Sequence, residues 1–192
     1  MKRLSNFLKQ TVLLVLLPVL PVAADTPADN FYTLKATRLD GTTIHFKELQ
    51  GKVVLVSNIA LRCGTTPQLG ALQKLYETYS KEEFVVMGFP SSDFTGEDLS
   101  SAKRIKDTCS GKFGVSFPLF KPGSIKGDNT QPVFDFLTKS GKEEIRGPVG
   151  FNFEKFLIDR SGVLRNRFGP FTSAQSEVVE SSIKALLNEK ER

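Results

Sequence analysis

A chain of 192 residues with 40% hydrophobic and 24% charged residues has the length of one domain and enough apolar content for a sizeable core. Three of its 26 basic residues and none of its 21 acidic ones fall in residues 1–24, so the formal +5 drops to +2 for the rest; with no basic stripe, no nucleic-acid partner is expected. One histidine and two cysteines argue against a zinc or copper centre, and two cysteines are too few for a disulfide scaffold.

Residues 1–24 carry the pattern of a cleaved export signal. Lys2, Arg3 and Lys9 form a basic start, Thr11 to Leu20 an apolar stretch, and Val22-Ala23-Ala24 a small-residue cleavage site. The apolar stretch is short for a bilayer span and is interrupted by Pro18 and Pro21, a retained anchor being the alternative. The expectation is bacterial export, a periplasmic or secreted location without a stable membrane anchor after cleavage, and one domain over residues 25–192.

After a polar leader, Leu34–Leu39 and Thr42–Phe46 flank Asp40-Gly41, a strong hairpin signal. His45 lies on the second arm and is expected to be a strand residue, since one isolated imidazole completes no constellation. Val53 to Leu61 is an apolar run rich in β-branched residues and predicts a strand buried on both faces. Leu69, Leu72, Leu75, Tyr76 and Tyr79 then predict a helix, with Pro67 near its first turn. Phe84 to Phe89 predicts a second strand ending at Pro90, followed by a polar loop over 91–97 and a helix of weak periodicity over Asp98–Cys109. Phe117–Phe120 reads as extended, Lys121–Asn129 as loop and Val133–Leu137 as a short helix. Phe153–Ile158 and Val163–Phe168 flank a second hairpin turn ending in Gly162. A final helix is expected from Thr172 or Ser173, with Gln175 completing a capping box from Thr172. This order predicts an α/β sandwich whose site lies at the carboxyl ends of parallel strands, where Cys63 and the Pro90–Phe94 loop become neighbours.

Cys63 stands where the buried strand gives way to the helix. Unpaired backbone N–H groups and the positive end of the helix dipole favour thiolate there, and Arg62 adds a nearby charge. The competing reading is a buried, inert cysteine. Cys63 and Cys109 together form one structural bridge, one catalytic pair, or one working thiol and a bystander.

Five segments in order carry a family resemblance: Gly51-Lys52-Val53-Val54-Leu55-Val56; Cys63-Gly64, then Thr66-Pro67-Gln68; Gly88-Phe89-Pro90; Gly114 to Phe120; and Asn152-Phe153, then Lys155 to Arg160. From about Phe31 to Leu187 the sequence resembles the thiol-using glutathione peroxidases. The resemblance implies a thioredoxin-like three-layer sandwich with an added N-terminal β-hairpin, and a peroxidatic thiol at Cys63 that becomes a sulfenic acid on attacking a hydroperoxide. It implies no cofactor beyond an external thiol reductant, glutathione or a thioredoxin-like protein, and a monomer, because the segment between Val133 and Asn152 is short.

Family members surround this thiol with Gln, Trp and Asn. Asn152 matches the Asn, Phe151 stands at the Trp position without an indole N–H, Asp93 stands at the Gln position, and Gln68 is retained. An ionised carboxylate at Asp93 would raise the thiol pKa unless it turns away, pairs with Arg62 or another cation, or stays protonated; weakened activity is therefore expected. Cys109 is the possible resolving thiol or a bystander, and joining it to Cys63 requires the intervening helix to unwind. Two rivals remain at this stage: a periplasmic disulfide exchanger or redox sensor, against which Thr66 replaces the second cysteine of a Cys-x-x-Cys motif, and a degenerate binding protein that keeps the fold.

Overall fold

A computed structural model describes residues 30–189; the expected export signal lies outside them. A four-stranded sheet of order β4-β3-β5-β6 forms the centre, built from β3 (Val53–Ile59), β4 (Phe84–Pro90), β5 (Lys155–Ile158) and β6 (Leu164–Phe168). β3 runs parallel to β4 and antiparallel to β5, and β5 antiparallel to β6. Every residue of β3 is buried, as its unbroken apolar run requires of a strand covered on both faces.

The pleat sends alternate side chains to two cores. Val53 and Leu55 pack with Leu69, Leu72 and Leu75 of helix α1 (Gln68–Tyr79) and with Val179, Ile183 and Leu186 of α4 (Glu177–Asn188). Val54 and Val56 face the other way, onto Phe134 and Leu137 of α3 (Pro132–Lys139) and onto Phe31 and Phe46. The result is the expected three-layer sandwich. The expected N-terminal hairpin is a separate two-stranded sheet, β1 (Lys35–Thr37) with β2 (Thr43–His45). Its turn is set by Asp40, whose carboxylate accepts from the Thr42 N–H, and by Gly41 at φ +94°, a conformation open to glycine without strain. His45 is an ordinary strand-end residue whose N–H donates to the Glu48 carboxylate.

Two helices depart from expectation. The Asp98–Cys109 helix starts late: Asp98 turns back to accept from the Ser100 N–H, Ser101 caps, and α2 spans only Ala102–Lys106. It then widens into a π-helical turn, Asp107–Lys112, which contains Cys109. The final helix begins at Glu177, with Ser176 as N-cap and not Thr172 or Ser173. The Thr172 N–H is bonded to the Gly169 carbonyl and its own carbonyl accepts from Lys155, while the Ser173 hydroxyl accepts from the Gln175 N–H; these contacts hold the segment in turns.

Candidate active site

The parallel pair ends in register, Ile59 opposite Pro90, and the Ser91 N–H donates to the Ile59 carbonyl. The loop after each strand therefore starts from the same edge, and the two loops meet at Glu97, whose carboxylate accepts from the Leu61 and Arg62 N–H groups just before Cys63. The Cys63 turn is stitched locally. The Thr66 hydroxyl donates to the Ala60 carbonyl at 3.1 Å and accepts from the Cys63 N–H at 3.0 Å. Turns over 63–67 separate the thiol from α1, so Cys63 sits one turn ahead of the helix and not directly on its N-terminus.

The Cys63 sulfur is half-buried and lies 3.1 Å from the Thr65 hydroxyl. Burial pushes the thiol up, but the Thr65 hydroxyl and N–H, the Asn152 amide and the Gly64 N–H together outweigh it and leave the pKa below that of an ordinary cysteine. Hydrogen bonds to the charged form thus prepare the thiolate. The Arg62 side chain is exposed and is not among these leading contributions; its N–H is bonded to the Glu97 carboxylate instead.

Asn152 is fully buried, and neither atom of its amide meets a partner at full hydrogen-bond geometry, although the amide lies near enough to Cys63 to favour its thiolate. An orphaned buried amide beside a thiol is a donor held ready for the thiolate or for an oxygen bound to the sulfur. Asn58 of β3 sets it there. Its side chain donates to the Phe151 carbonyl and accepts from the Glu154 N–H, both at 3.0 Å, while its own carbonyl accepts from the Phe153 N–H at 2.8 Å. These three bonds fold 151–154 into a tight turn with Phe153 at φ +65°, a strained conformation for a bulky residue, and β5 starts only at Lys155.

Phe151 supplies a ring, and no indole donor, to a row in which it lies 5.5 Å from Phe94 and 6.2 Å from Phe171. Phe171 is 79% exposed, and the Lys126 ammonium sits 4.1 Å over the Phe94 ring. Asp93 has turned away from the thiol: its carboxylate accepts from the Ser124 hydroxyl at 2.9 Å and the Ile125 N–H at 2.7 Å. Of the three ways to spare the thiolate, the chain uses this one. Gln68 is committed elsewhere. Its amide donates to the Pro170 carbonyl and its oxygen accepts from the buried Lys155 ammonium, tying the segment of Phe171 to the start of α1.

Cys109 is a free thiol like Cys63, but fully buried among Ile105, Val115 and Phe117. Burial and then the Glu97 charge push it up to about 12. Sequence reading missed three contributors. Asn58 was visible as an amide in an apolar run, and Thr65 as a hydroxyl two residues from a thiol. Glu97 lay in a polar loop with nothing to distinguish it.

Comparison with known proteins agrees with this geometry. A glutathione peroxidase from Lactococcus lactis is 39% identical over 158 residues, covering 82% of this chain and 99% of its own. The glutathione peroxidase-like peroxiredoxin HYR1 of Saccharomyces cerevisiae is 39% identical over 161 residues, covering 82% of this chain and 98% of its own. A thiol:disulfide interchange protein of the thioredoxin family from Chlorobium tepidum superposes with a TM-score of 0.60 over 86% of this chain and 100% of its own; at 17% identity it shows the thioredoxin-like fold alone. The family model for glutathione peroxidase matches residues 31–138, and with these relatives it establishes that the chain belongs to the glutathione peroxidase family, as a thiol peroxidase.

Proposed function

We propose that Cys63 is the peroxidatic residue of a peroxidase acting on hydrogen peroxide and on organic or lipid hydroperoxides. The observation that carries this is the half-buried Cys63 sulfur, 3.1 Å from the Thr65 hydroxyl and beside the unpartnered Asn152 amide. The thiolate attacks the outer oxygen of ROOH, the O–O bond breaks, and Cys63 becomes a sulfenic acid as RO⁻ leaves and takes up a proton to give ROH. A second thiol then attacks the sulfenic sulfur, forming a disulfide and releasing water, and an external thiol reductant restores both thiols. Cys109 is the proposed internal second thiol; its burial means that the turn around it must open first.

Asp93 and Phe151 place no donor where Gln and Trp donors would stand, so fewer groups meet the departing oxygen. We propose a correspondingly slower first step, carried by Thr65, Gly64 and Asn152. The Phe94, Phe151 and Phe171 rings favour bulky apolar hydroperoxides. Glutathione and thioredoxin-like proteins are the proposed reductants, the active species is a monomer, and residues 1–24 direct export to the periplasm.

Reductant-coupled turnover of peroxide by the protein and by Cys63→Ser tests the reading. Turnover that needs Cys63 supports it. Disulfide exchange without peroxide turnover would make the protein an exchanger or sensor, and neither activity would make it a binding protein on this fold. Protein recovered from periplasm should begin at Asp25; an intact N-terminus there would overturn the proposed cleavage, and its absence from the periplasm and medium the proposed export.

A further inference from the structure

The Glu97 carboxylate is buried, with 2% of its side chain exposed, between the turn of Cys63 and the helix of Cys109. Its Oε1 accepts from the Leu61 N–H at 2.8 Å, the Arg62 N–H at 3.4 Å and the Thr95 hydroxyl at 3.2 Å. Its Oε2 has no hydrogen bond and faces Nη2 of Arg104 at 3.7 Å, an atom equally buried and equally without a hydrogen-bond partner. Arg104 belongs to α2, which passes at Asp107 into the π-helical turn of Cys109. One side chain therefore holds the two residues before Cys63 and faces the element that carries Cys109.

A carboxylate taken out of water with only half of its acceptor capacity filled depends on its cation. Here that cation rides on a five-residue helix continued by a π-helical turn, a short and irregular element with little ladder strength of its own. Outside it lies a cleft of about 560 Å³, lined by Glu97, Ser100 and Ala102 among others, so water is at hand if α2 moves. We propose that Glu97 and Arg104 form a positioning pair that docks the helix of Cys109 onto the turn of Cys63, and that separation of the pair releases Cys109. The docking stands on these contacts alone; its use in turnover rests on the proposed role of Cys109.

Labelling of Cys109 by iodoacetamide in full-length Cys63→Ser reads the opening directly, because a buried thiol reacts from the opened state. Arg104→Gln leaves the Glu97 charge uncompensated and should speed labelling at least about tenfold, whereas Arg104→Lys keeps the charge and should stay within about threefold of the parent. Adding Glu97→Gln to Arg104→Gln removes the stranded charge while Oε1 still accepts from Leu61, and should return labelling to within about threefold of the parent. An unchanged rate in Arg104→Gln, a double variant as fast as that single one, or a gain no larger than the denaturant-measured rise in globally unfolded protein would each overturn the pair. Peroxide treatment of the protein with both cysteines supplies the separate arm: labelling that follows the pattern without a Cys63–Cys109 disulfide leaves the docking pair standing and removes the resolving role.

Discussion

The two thiols of this chain share a chemistry and differ in everything around it. Cys63 is half-buried in a turn where one hydroxyl, two backbone N–H groups and an amide favour its thiolate, and they outweigh the effect of burial. Cys109 is fully buried in a hydrophobic core, where burial and the Glu97 charge act together and push it to about 12. Desolvation opposes ionisation at both; polar partners reverse it only at Cys63. Reactivity is thus written into the turn and withheld from the helix, and Cys109 can act only after local opening.

The largest effect should come from replacing each thiol in turn. Cys63→Ser should lower peroxide turnover on the order of 10³-fold or more, since no other group can take the nucleophile's place. Cys109→Ser should leave single-turnover sulfenic acid formation within about threefold, because that thiol is fully buried and is not among the groups that favour the Cys63 thiolate. Comparable losses of that first step in both variants would break the contrast.

Next in size is the amide. Asn152→Ala removes a donor aimed at the thiol and should lower kcat/KM for peroxide on the order of 10²-fold. Asn58→Ala should come close to it, about 10-fold to 10²-fold, by freeing the turn that holds Asn152, and should also cost about 2 kcal/mol of stability through lost buried hydrogen bonds. If peroxide kinetics showed Asn58→Ala as the only damaging change, the turn would matter and its amide would not.

Smaller and dependent on pH is Thr65→Val. Without the hydroxyl the Cys63 pKa should rise, so reactivity near neutral pH should fall by about tenfold and the deficit should close as pH climbs past the new pKa. A deficit that persists undiminished at high pH would mean that Thr65 positions the sulfur without ionising it. For Cys109 the sign runs the other way. Its folded pKa of about 12 lies above the unfolded value near 8.5, so the folded form is favoured by the full difference below about pH 8.5. That contribution is lost progressively as pH rises from there toward 12, and Cys109→Ala should flatten this part of the stability profile in denaturant titrations.

The sheet, both hairpins and the junction at Cys63 were legible in the sequence because each rests on local chemistry: a β-branched run, Asp40-Gly41, and an apolar helical face. The two misplaced helix starts share one reason, competition for the group that would have capped the helix. Thr172 and Asp98 each read as helix openers, yet their groups are taken by other partners, Lys155 from a distant strand for one and a competing local turn to the Ser100 N–H for the other. The site was legible where it follows family pattern and hidden where it is held from afar. Glu97 reaches back 36 residues to Leu61, and no periodicity marks such a contact.

Asp93 gives the smallest expected effect and the sharpest test of geometry against pattern. By pattern alone, Asp93→Gln should lower the Cys63 pKa, since it removes a negative charge near the thiolate. The carboxylate, however, is already occupied by the Ser124 hydroxyl and the Ile125 N–H. A glutamine there would first lose those charge-assisted bonds, at about 1 to 3 kcal/mol, before its amide could reach toward the sulfur. Asp93→Gln should therefore lower stability measurably and leave the thiolate titration of Cys63 unchanged within error. A fall of a full unit in that titration would show that Asp93 acts on the thiol after all, and that the line between the prepared turn and its surroundings lies further out than Thr65 and Asn152.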